Sequence, residues 1–196
     1  GGSYKTGTMR ATYGKQLENG ANVLISGSGF NSGGETNLYY PEFDDPTTNN
    51  GVAHDMDWEH NKRFFAKAQM DDFTYTAGYT TRLKRVPNRA YSTVFNDPRF
   101  QTEDTHAYNE LKYNSSLNAH TQVEVKGFYH WYSNAAHYPY DDVLPSYVVF
   151  EEYGGNWAGA EANVVTTAID GHKIVMGGEF QYDITQTQHV YDKFGT

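Results

Sequence analysis

Residues 64–81, FFAKAQMDDFTYTAGYTT, decide the fold, because apolar and polar side chains alternate on both sides of Asp71-Asp72. A period of two is the spacing of a β-strand, whose successive side chains point to opposite faces of a sheet. If Asp71-Asp72 forms a two-residue turn, Met70 opposes Phe73 on an apolar face. The same register sets Ala68 opposite Tyr75, Phe64 opposite Tyr79, Lys67 opposite Thr76 and Phe65 opposite Gly78. The segment therefore predicts an antiparallel hairpin with one apolar and one polar face.

The same alternation continues along the rest of the chain. Eight long segments show it, at residues 4–16, 21–30, 58–70, 73–84, 105–116, 121–133, 156–169 and 172–185. Strands in globular proteins usually have about five or six residues, so these predicted strands are long. No segment has the period of 3.6 that indicates an amphipathic helix.

The connections between the predicted strands alternate in length. The short ones are Glu18-Asn19-Gly20, Asp71-Asp72, Leu117-Asn118-Ala119 and Asp170-Gly171. Asn-Gly and Asp-Gly supply the positive φ angles that tight hairpins need. The long ones are residues 31–57, 85–104 and 134–155. Short turns at one end of a sheet and long loops at the other are typical of an outer-membrane β-barrel.

Alternation alone does not say which face of the sheet points outward. A soluble ligand-binding β-barrel encloses its apolar face, whereas a membrane barrel turns that face to lipid and keeps a polar lumen. Strand length, loop asymmetry and the many Tyr residues near strand ends favour the membrane type. We therefore expect an all-β fold, an antiparallel membrane-type β-barrel or barrel segment of about eight strands, with residues 1–196 as one unit.

Composition excludes several other classes of protein. Aromatic residues make up 16% of the chain, whereas disordered chains are poor in them. The net charge of −9 argues against a generic nucleic-acid-binding protein, which has a basic face. The chain has no cysteine, so neither disulfides nor a thiolate metal site can form. No run of about eighteen apolar residues predicts a membrane-spanning helix.

The third hairpin allows a prediction of register. Cross-strand partners share a face, and a three-residue loop at 117–119 would keep the polar residues of both strands together. That loop sets Lys112 opposite Glu124 and Glu110 opposite Lys126. A five-residue loop would instead set Lys112 opposite Lys126, which is unfavourable. We therefore expect the three-residue loop.

Several motifs resemble the barrel of TonB-dependent outer-membrane receptors. In the first two strands they are MRATYGK (9–15) and ISGSG (25–29), and in the loops LYYPEFD (38–44), Val86-Pro87 and TVFNDPR (93–99). The resemblance implies a bacterial outer-membrane receptor that imports a scarce ligand, such as a ferric siderophore or cobalamin. It also implies surrounding membrane lipid and the imported small molecule as partners, with neither nucleic acid nor a cofactor.

The sequence departs from that family in three ways. The family closes a 22-stranded barrel around an N-terminal plug, and neither a plug nor a TonB box is found here. The chain ends in Lys193-Phe194-Gly195-Thr196 rather than in a terminal aromatic strand. We therefore expect an internal segment of such a barrel, or a small barrel cut from one, which would reach TonB only through the missing plug.

Aromatic residues cluster in the long loops, interleaved with Asn, Asp and Arg. Such clusters suit the capture of a flat or amphipathic ligand. The candidate ligand-binding residues are Tyr39, Tyr40, Phe43, Tyr91, Phe95, Arg99, Tyr138 and Tyr140. Alternatively, these aromatics pack the loops against each other or form an interfacial girdle.

Other chemistry finds little support in the sequence. The densest set of possible metal ligands is His54, Asp55, Asp57, Glu59 and His60, and Asp44-Asp45 and Asp141-Asp142 are possible calcium ligands. Neither set has the spacing of a known site, so we expect solvated loops and no metal. No G-x-S-x-G elbow is present, so we expect no enzyme. An outer-membrane phospholipase with a cross-strand Ser–His pair remains an alternative, as does the soluble barrel.

Overall fold

The computed structural model of the chain describes residues 1–195. Within them the strands are β1 (Gly7–Gln16), β2 (Asn22–Ser32), β3 (Asn37–Tyr39), β4 (Val52–His54), β5 (Glu59–Met70), β6 (Phe73–Arg85), β7 (Gln101–Asn118), β8 (Thr121–Tyr140), β9 (Tyr147–Thr166) and β10 (Ile174–Phe194). Short 3-10 helices occupy Pro41–Phe43, Pro46–Gly51 and Ala90–Ser92. In this part of the chain no helix is long and apolar enough to cross a membrane.

Eight of the strands form one antiparallel sheet in the order β1-β2-β5-β6-β7-β8-β9-β10, and β3 pairs with β4 in a small separate sheet. The predicted all-β fold is therefore confirmed. No closed barrel forms within residues 1–195, because β1 and β10 lie at the two edges of the large sheet. The accessible surface of 12424 Å² exceeds the roughly 9,400 Å² of a compact monomer of this size. Both faces of the sheet are therefore widely exposed.

The register predicted for the second hairpin is confirmed. Met70 opposes Phe73 across the Asp71-Asp72 turn. The further pairs are Ala68 with Tyr75, Phe64 with Tyr79, Lys67 with Thr76 and Phe65 with Gly78. Asp71 has a φ of 50°, in the left-handed region that Asp tolerates better than most residues. Local turn chemistry and the alternation of side chains together determine this hairpin.

The register predicted for the third hairpin is wrong. Lys112 opposes Lys126, and Glu124 opposes Asn114. Asn118 pairs with Thr121 across a tight turn, and a bulge between Ser116 and Asn118 absorbs the odd residue. The backbone N–H of His120 donates to the Asn118 side-chain oxygen at 2.9 Å, which stabilises this turn. The bulge thus keeps polar residues on one face without the three-residue loop.

The strands from β7 to β10 are longer than the sequence predicts. The predicted loop 134–155 is wrong, because β8 continues to Tyr140 and β9 begins at Tyr147. Residues 134–140 pair with residues 147–153, so cross-strand hydrogen bonds extend both strands. The loop predicted at 85–104 shortens to residues 86–100, and the loop at 31–57 contains β3 and β4. The expected strict alternation of long and short connections therefore fails at 141–146.

The apolar residues on one face of the sheet are most continuous in the half of the strands nearest the short turns. Large apolar side chains line this face over residues 73–79 of β6, 123–131 of β8 and 174–182 of β10, a surface that we call the apolar band. Phe180 in this band is 70% exposed. The next residues on the same face are polar, at Thr81, Ser133 and, after a bulge, Thr185. Isolated apolar residues lie farther out, such as Leu83 on β6 and Phe150 on β9. In β6, β8 and β10 the unbroken apolar run on this face thus ends at a polar residue.

Two long loops form a compact cap at the opposite end from the short turns. The cap consists of residues 33–58 and 86–100, and its core contains the buried residues Ala53, Met56, Phe95 and Phe100. Met56 and Phe100 are each 2% exposed. The N–H of Arg85 donates to the carbonyl of Trp58 at 3.2 Å, which joins the two loops at their bases. This core belongs to the loops rather than to the sheet.

We expect Phe100→Ala to destabilise the cap by about 3–5 kcal/mol, because it removes a buried aromatic ring from the core of the cap. Limited proteolysis of the refolded chain should then cut residues 33–58 and 86–100 faster than in the wild type. Leu144→Ala is the control, because Leu144 is 92% exposed in the neighbouring connection. Equal cleavage rates for the two variants would contradict this assignment of the core.

Candidate functional site

Three of the predicted ligand-binding aromatics lie in the interior of the cap. The Tyr40 and Phe95 rings contact each other edge to face at 5.9 Å. The Phe43 and Phe95 ring centroids are 4.9 Å apart. These contacts stabilise the cap, and Phe95 is 7% exposed. For Tyr40, Phe43 and Phe95 the structure therefore agrees with the alternative that these residues pack the loops together.

Tyr138 connects the cap to the end of β8. Its ring contacts Phe100 at 5.5 Å and Tyr91 edge to face at 5.5 Å. Burial raises the pKa of the Tyr138 phenol to about 12, with nearby carboxylate charge of Glu151 adding to the effect. Tyr91 on the other side of this contact is 75% exposed. The pair thus leads from the core of the cap to its surface.

The remaining predicted residues lie near the surface and have partners of their own. The Tyr39 hydroxyl donates to Asp44 Oδ2 at 2.9 Å. The Arg99 guanidinium holds Asp97 through Nε to Oδ1 at 3.0 Å and Nη2 to Oδ2 at 2.6 Å. The Tyr140 hydroxyl donates to the carbonyl of Tyr91 at 3.3 Å. Tyr39 and Tyr91 remain the exposed aromatic rings among the predicted set.

A row of stacked rings crosses the polar face of the sheet, and the sequence analysis did not single it out. His130 lies between Tyr108 on β7 and Trp157 on β9 as their direct cross-strand partner. The His130 and Trp157 rings are 5.1 Å apart with an angle of 8° between their planes. His106 joins the row, because its Nε2 lies 3.1 Å from His130 Nδ1. We call these four residues the ring row.

Glycines give the aromatics of this face room to lie across the neighbouring strand. A Cβ built on Gly78 would overlap the Tyr108 ring, and one on Gly159 would overlap the Phe128 ring. Aromatic rings above strand glycines cover the backbone that a missing side chain exposes. The absence of these two side chains therefore fixes the position of two aromatic rings on the polar face.

Ion pairs lie beside the ring row on the same face. Lys126 Nζ is 2.7 Å from Glu161 Oε2 on β9, and Lys112 Nζ is 3.2 Å from Glu124 Oε2 on β8. The first pair joins direct cross-strand partners, whereas the second runs diagonally. These pairs offset the repulsion between Lys112 and Lys126, which the register sets opposite each other. The polar face thus combines compensated charges with aromatic rings.

Side chains in two of the three clusters considered as metal ligands have other partners in the structure. Within residues 1–195 no group of three or more His, Cys, Asp or Glu side chains is arranged to hold a metal ion. His54 Nε2 lies 3.2 Å from Asp55 Oδ2 at the surface, and Asp57 binds Lys84 at 2.9 Å. Asp45 accepts hydrogen bonds from the Thr47 hydroxyl and N–H, which lower the pKa of its carboxyl. These carboxylates therefore stabilise the local loop structure.

We expect a double-mutant cycle with Lys126→Met and Glu161→Gln to show a measurable coupling in urea denaturation at low salt. Both side chains are 26% exposed and 2.7 Å apart, so solvent screens this pair less than a surface pair. The matched comparison is His54 with Asp55, which are 56% and 58% exposed and should show no measurable coupling. Equal coupling in the two cycles would contradict the expectation that the less exposed pair is coupled more strongly.

No protein-family model, curated protein or solved structure matches the chain. The resemblance to TonB-dependent receptors therefore stays a prediction. The geometry of the sheet, its two faces and the cap remain as the evidence about function.

Proposed function

We propose that the chain is part of the wall of an outer-membrane β-barrel, with the apolar band against lipid and the polar face toward the lumen. The apolar band is the observation that supports this most strongly. In β8 it covers residues 123–131 and ends at Ser133 on the same face. The apolar core of a soluble barrel has no reason to end at a fixed distance from the turns, whereas a lipid-facing surface does.

The dimensions of the apolar band suit a bilayer. At about 3.3 Å per residue and a tilt of about 45°, nine residues of strand span roughly 21 Å. The apolar surface of outer-membrane barrels is about 25 Å tall and is flanked by aromatic girdles. Aromatic side chains stand at the outer end of the band in three strands, at Tyr79, Trp131 and Tyr182. The strands farther out would then project beyond the membrane.

The composition of the polar face suits a wet lumen. The pairs Lys126–Glu161 and Lys112–Glu124 lie on β7, β8 and β9 at the depth of the apolar band, on the opposite face of the sheet. Charges at this depth are tolerated when they face water and each other rather than hydrocarbon. The ring row would line the same lumen.

The receptor role extends this proposal through the family resemblance. The wall would belong to a TonB-dependent receptor that imports a scarce ligand, such as a ferric siderophore or cobalamin. The cap would stand at the outer rim, where its packed core presents Tyr39 and Tyr91 on a preformed surface. A preformed surface lowers the entropic cost of binding. Energy for import would come through TonB and a plug outside these residues.

Insertion into vesicles tests the membrane proposal. We expect Ala77→Arg to destabilise the inserted protein by about 2–4 kcal/mol, because the charge would face lipid. Thr76→Arg is the control, since it lies on the polar face opposite Glu110 and should have little effect. Urea titrations of folding into phosphatidylcholine vesicles would measure both. Equal effects, or a monodisperse folded chain in plain buffer without detergent, would favour a soluble barrel instead.

Ligand capture has a separate test with cyanocobalamin and ferrichrome as probes. We expect quenching of intrinsic fluorescence by at least one probe, and about tenfold weaker binding after Tyr91→Ala, because an exposed aromatic anchor contributes strongly to binding. Leu144→Ala is the control, an exposed residue outside the cap. Quenching that does not change in Tyr91→Ala would contradict a ligand role for this residue.

A further inference from the structure

A pocket opens on the polar face of the sheet beside the ring row. Its volume is 240 Å³, and its lining comes from β7, β8, β9 and β10. Three aromatic rings line it together with carboxylates, an ammonium and an amide. Clefts for drug-sized ligands have about 300–1,000 Å³, so this smaller pocket suits a ligand of about one ring.

Two aromatic surfaces meet at nearly a right angle in this pocket. Phe128 forms the floor, because its ring lies across Gly159, its direct partner on β9. His130 and Trp157 form a wall, since their ring planes are only 8° apart. The Phe128 plane stands at 81° to that of His130, with the ring centroids 5.5 Å apart. The pocket therefore offers one flat apolar surface below a ligand and a second at its side.

Hydrogen-bond acceptors stand around this floor. Glu110 opposes Phe128 from β7, and Glu179 lines the pocket from β10. Neither carboxylate has an ion-pair partner within residues 1–195. Gln181, also on the rim, donates through Nε2 to Asp183 Oδ1 at 3.0 Å, and its own carbonyl oxygen can accept. The rim can thus accept hydrogen bonds at three side chains.

The charges around the pocket decide which class of ligand fits. An anion would face Glu110 and Glu179. An organic cation would compete with Lys126, whose Nζ lies 5.5 Å from the Phe128 ring centroid and 2.7 Å from Glu161. A flat aromatic ligand stacks well but brings few donors for carboxylates. A sugar ring has C–H groups on its faces and hydroxyl donors around its edge, so it matches both the aromatic floor and the accepting rim.

We propose that this pocket binds the ring of a neutral sugar, with a C–H face on Phe128, one edge against Trp157 and hydroxyls donating to Glu110 and Glu179. The inference goes beyond the proposed function and rests on it only in that the polar face must be open to water. Hydrogen bonds from hydroxyls to carboxylates are charge-assisted, so they are stronger than bonds between neutral groups. The aromatic floor adds apolar contact that fixes the face of the sugar ring.

Saturation-transfer-difference NMR tests the pocket with methyl β-glucoside, whose ring hydroxyls are all equatorial and leave both faces apolar. The full chain would be refolded in lauryldimethylamine oxide micelles, because this detergent has no sugar headgroup to compete. We expect transfer to the ring C–H protons of the glucoside. Phe128→Leu still covers Gly159 but has no flat face, so it should weaken binding about fivefold. Glu110→Ala should weaken it about tenfold, because a charge-assisted acceptor is lost.

Phe65→Leu is the matched control, because Phe65 is an aromatic residue on the same face, opposite Gly78, and lies outside the pocket. It should bind the glucoside as the wild type does. Equal weakening in Phe65→Leu and Phe128→Leu, or no transfer to the glucoside in the folded wild type, would overturn the inference while leaving the membrane proposal in place. Transfer to caffeine, a flat aromatic probe, or to choline, an organic cation, without transfer to the glucoside would do the same. A chain that forms no β-structure in micelles would overturn both.

Discussion

The backbone hydrogen bonds between neighbouring strands are the interaction on which the rest of this structure depends. The large sheet has no apolar core beneath it, and the buried apolar cluster of residues 1–195 belongs to the cap. Fixing a residue in extended conformation costs about 1–2 kcal/mol of backbone entropy. In water, ladder hydrogen bonds alone do not offset that cost, because each contributes roughly 1 kcal/mol net. A nonpolar solvent changes the balance, because unpaired backbone groups are far more costly there. Under the proposed membrane orientation, the bilayer would therefore stabilise this architecture.

Sequence reasoning succeeded where local chemistry and pattern agree. The β5–β6 hairpin follows from alternation on both sides of Asp71-Asp72, and every partner predicted for it is found. It failed where long-range pairing outweighs local preference. Pro139 and Gly154-Gly155 are poor strand residues, yet pairing of residues 132–140 with residues 147–155 extends β8 and β9. The bulge before Asn118 leaves no clear mark in the sequence, so parity alone gave the wrong register.

The candidate site was predictable in composition but not in geometry. Loops have no periodicity, so nothing in the sequence separates buried Phe95 from exposed Tyr91. The ring row could be recognised only after Tyr108, His130 and Trp157 were in register, since they come from three strands. The one sign of it in the sequence is that His130 falls on the polar face of β8. The residues of β7 and β9 that oppose His130 could not be identified from the sequence. The cap and the ring row thus depend on long-range contacts that cannot be obtained from a local pattern.

The like-charged pair in the third hairpin has a consequence for how the sheet assembles. When β7 and β8 come together, Lys112 and Lys126 face each other, and Lys126 acquires its ion-pair partner when β9 brings Glu161 into place. Glu124 compensates Lys112 within the hairpin, but Lys126 stays uncompensated, so the hairpin is locally frustrated until the third strand arrives. Frustration of this kind makes the three strands form as one cooperative unit, with β9 contributing specificity as well as hydrogen bonds. It also disfavours the capture of a foreign strand at that edge, since such a strand would need a carboxylate at the position of Glu161.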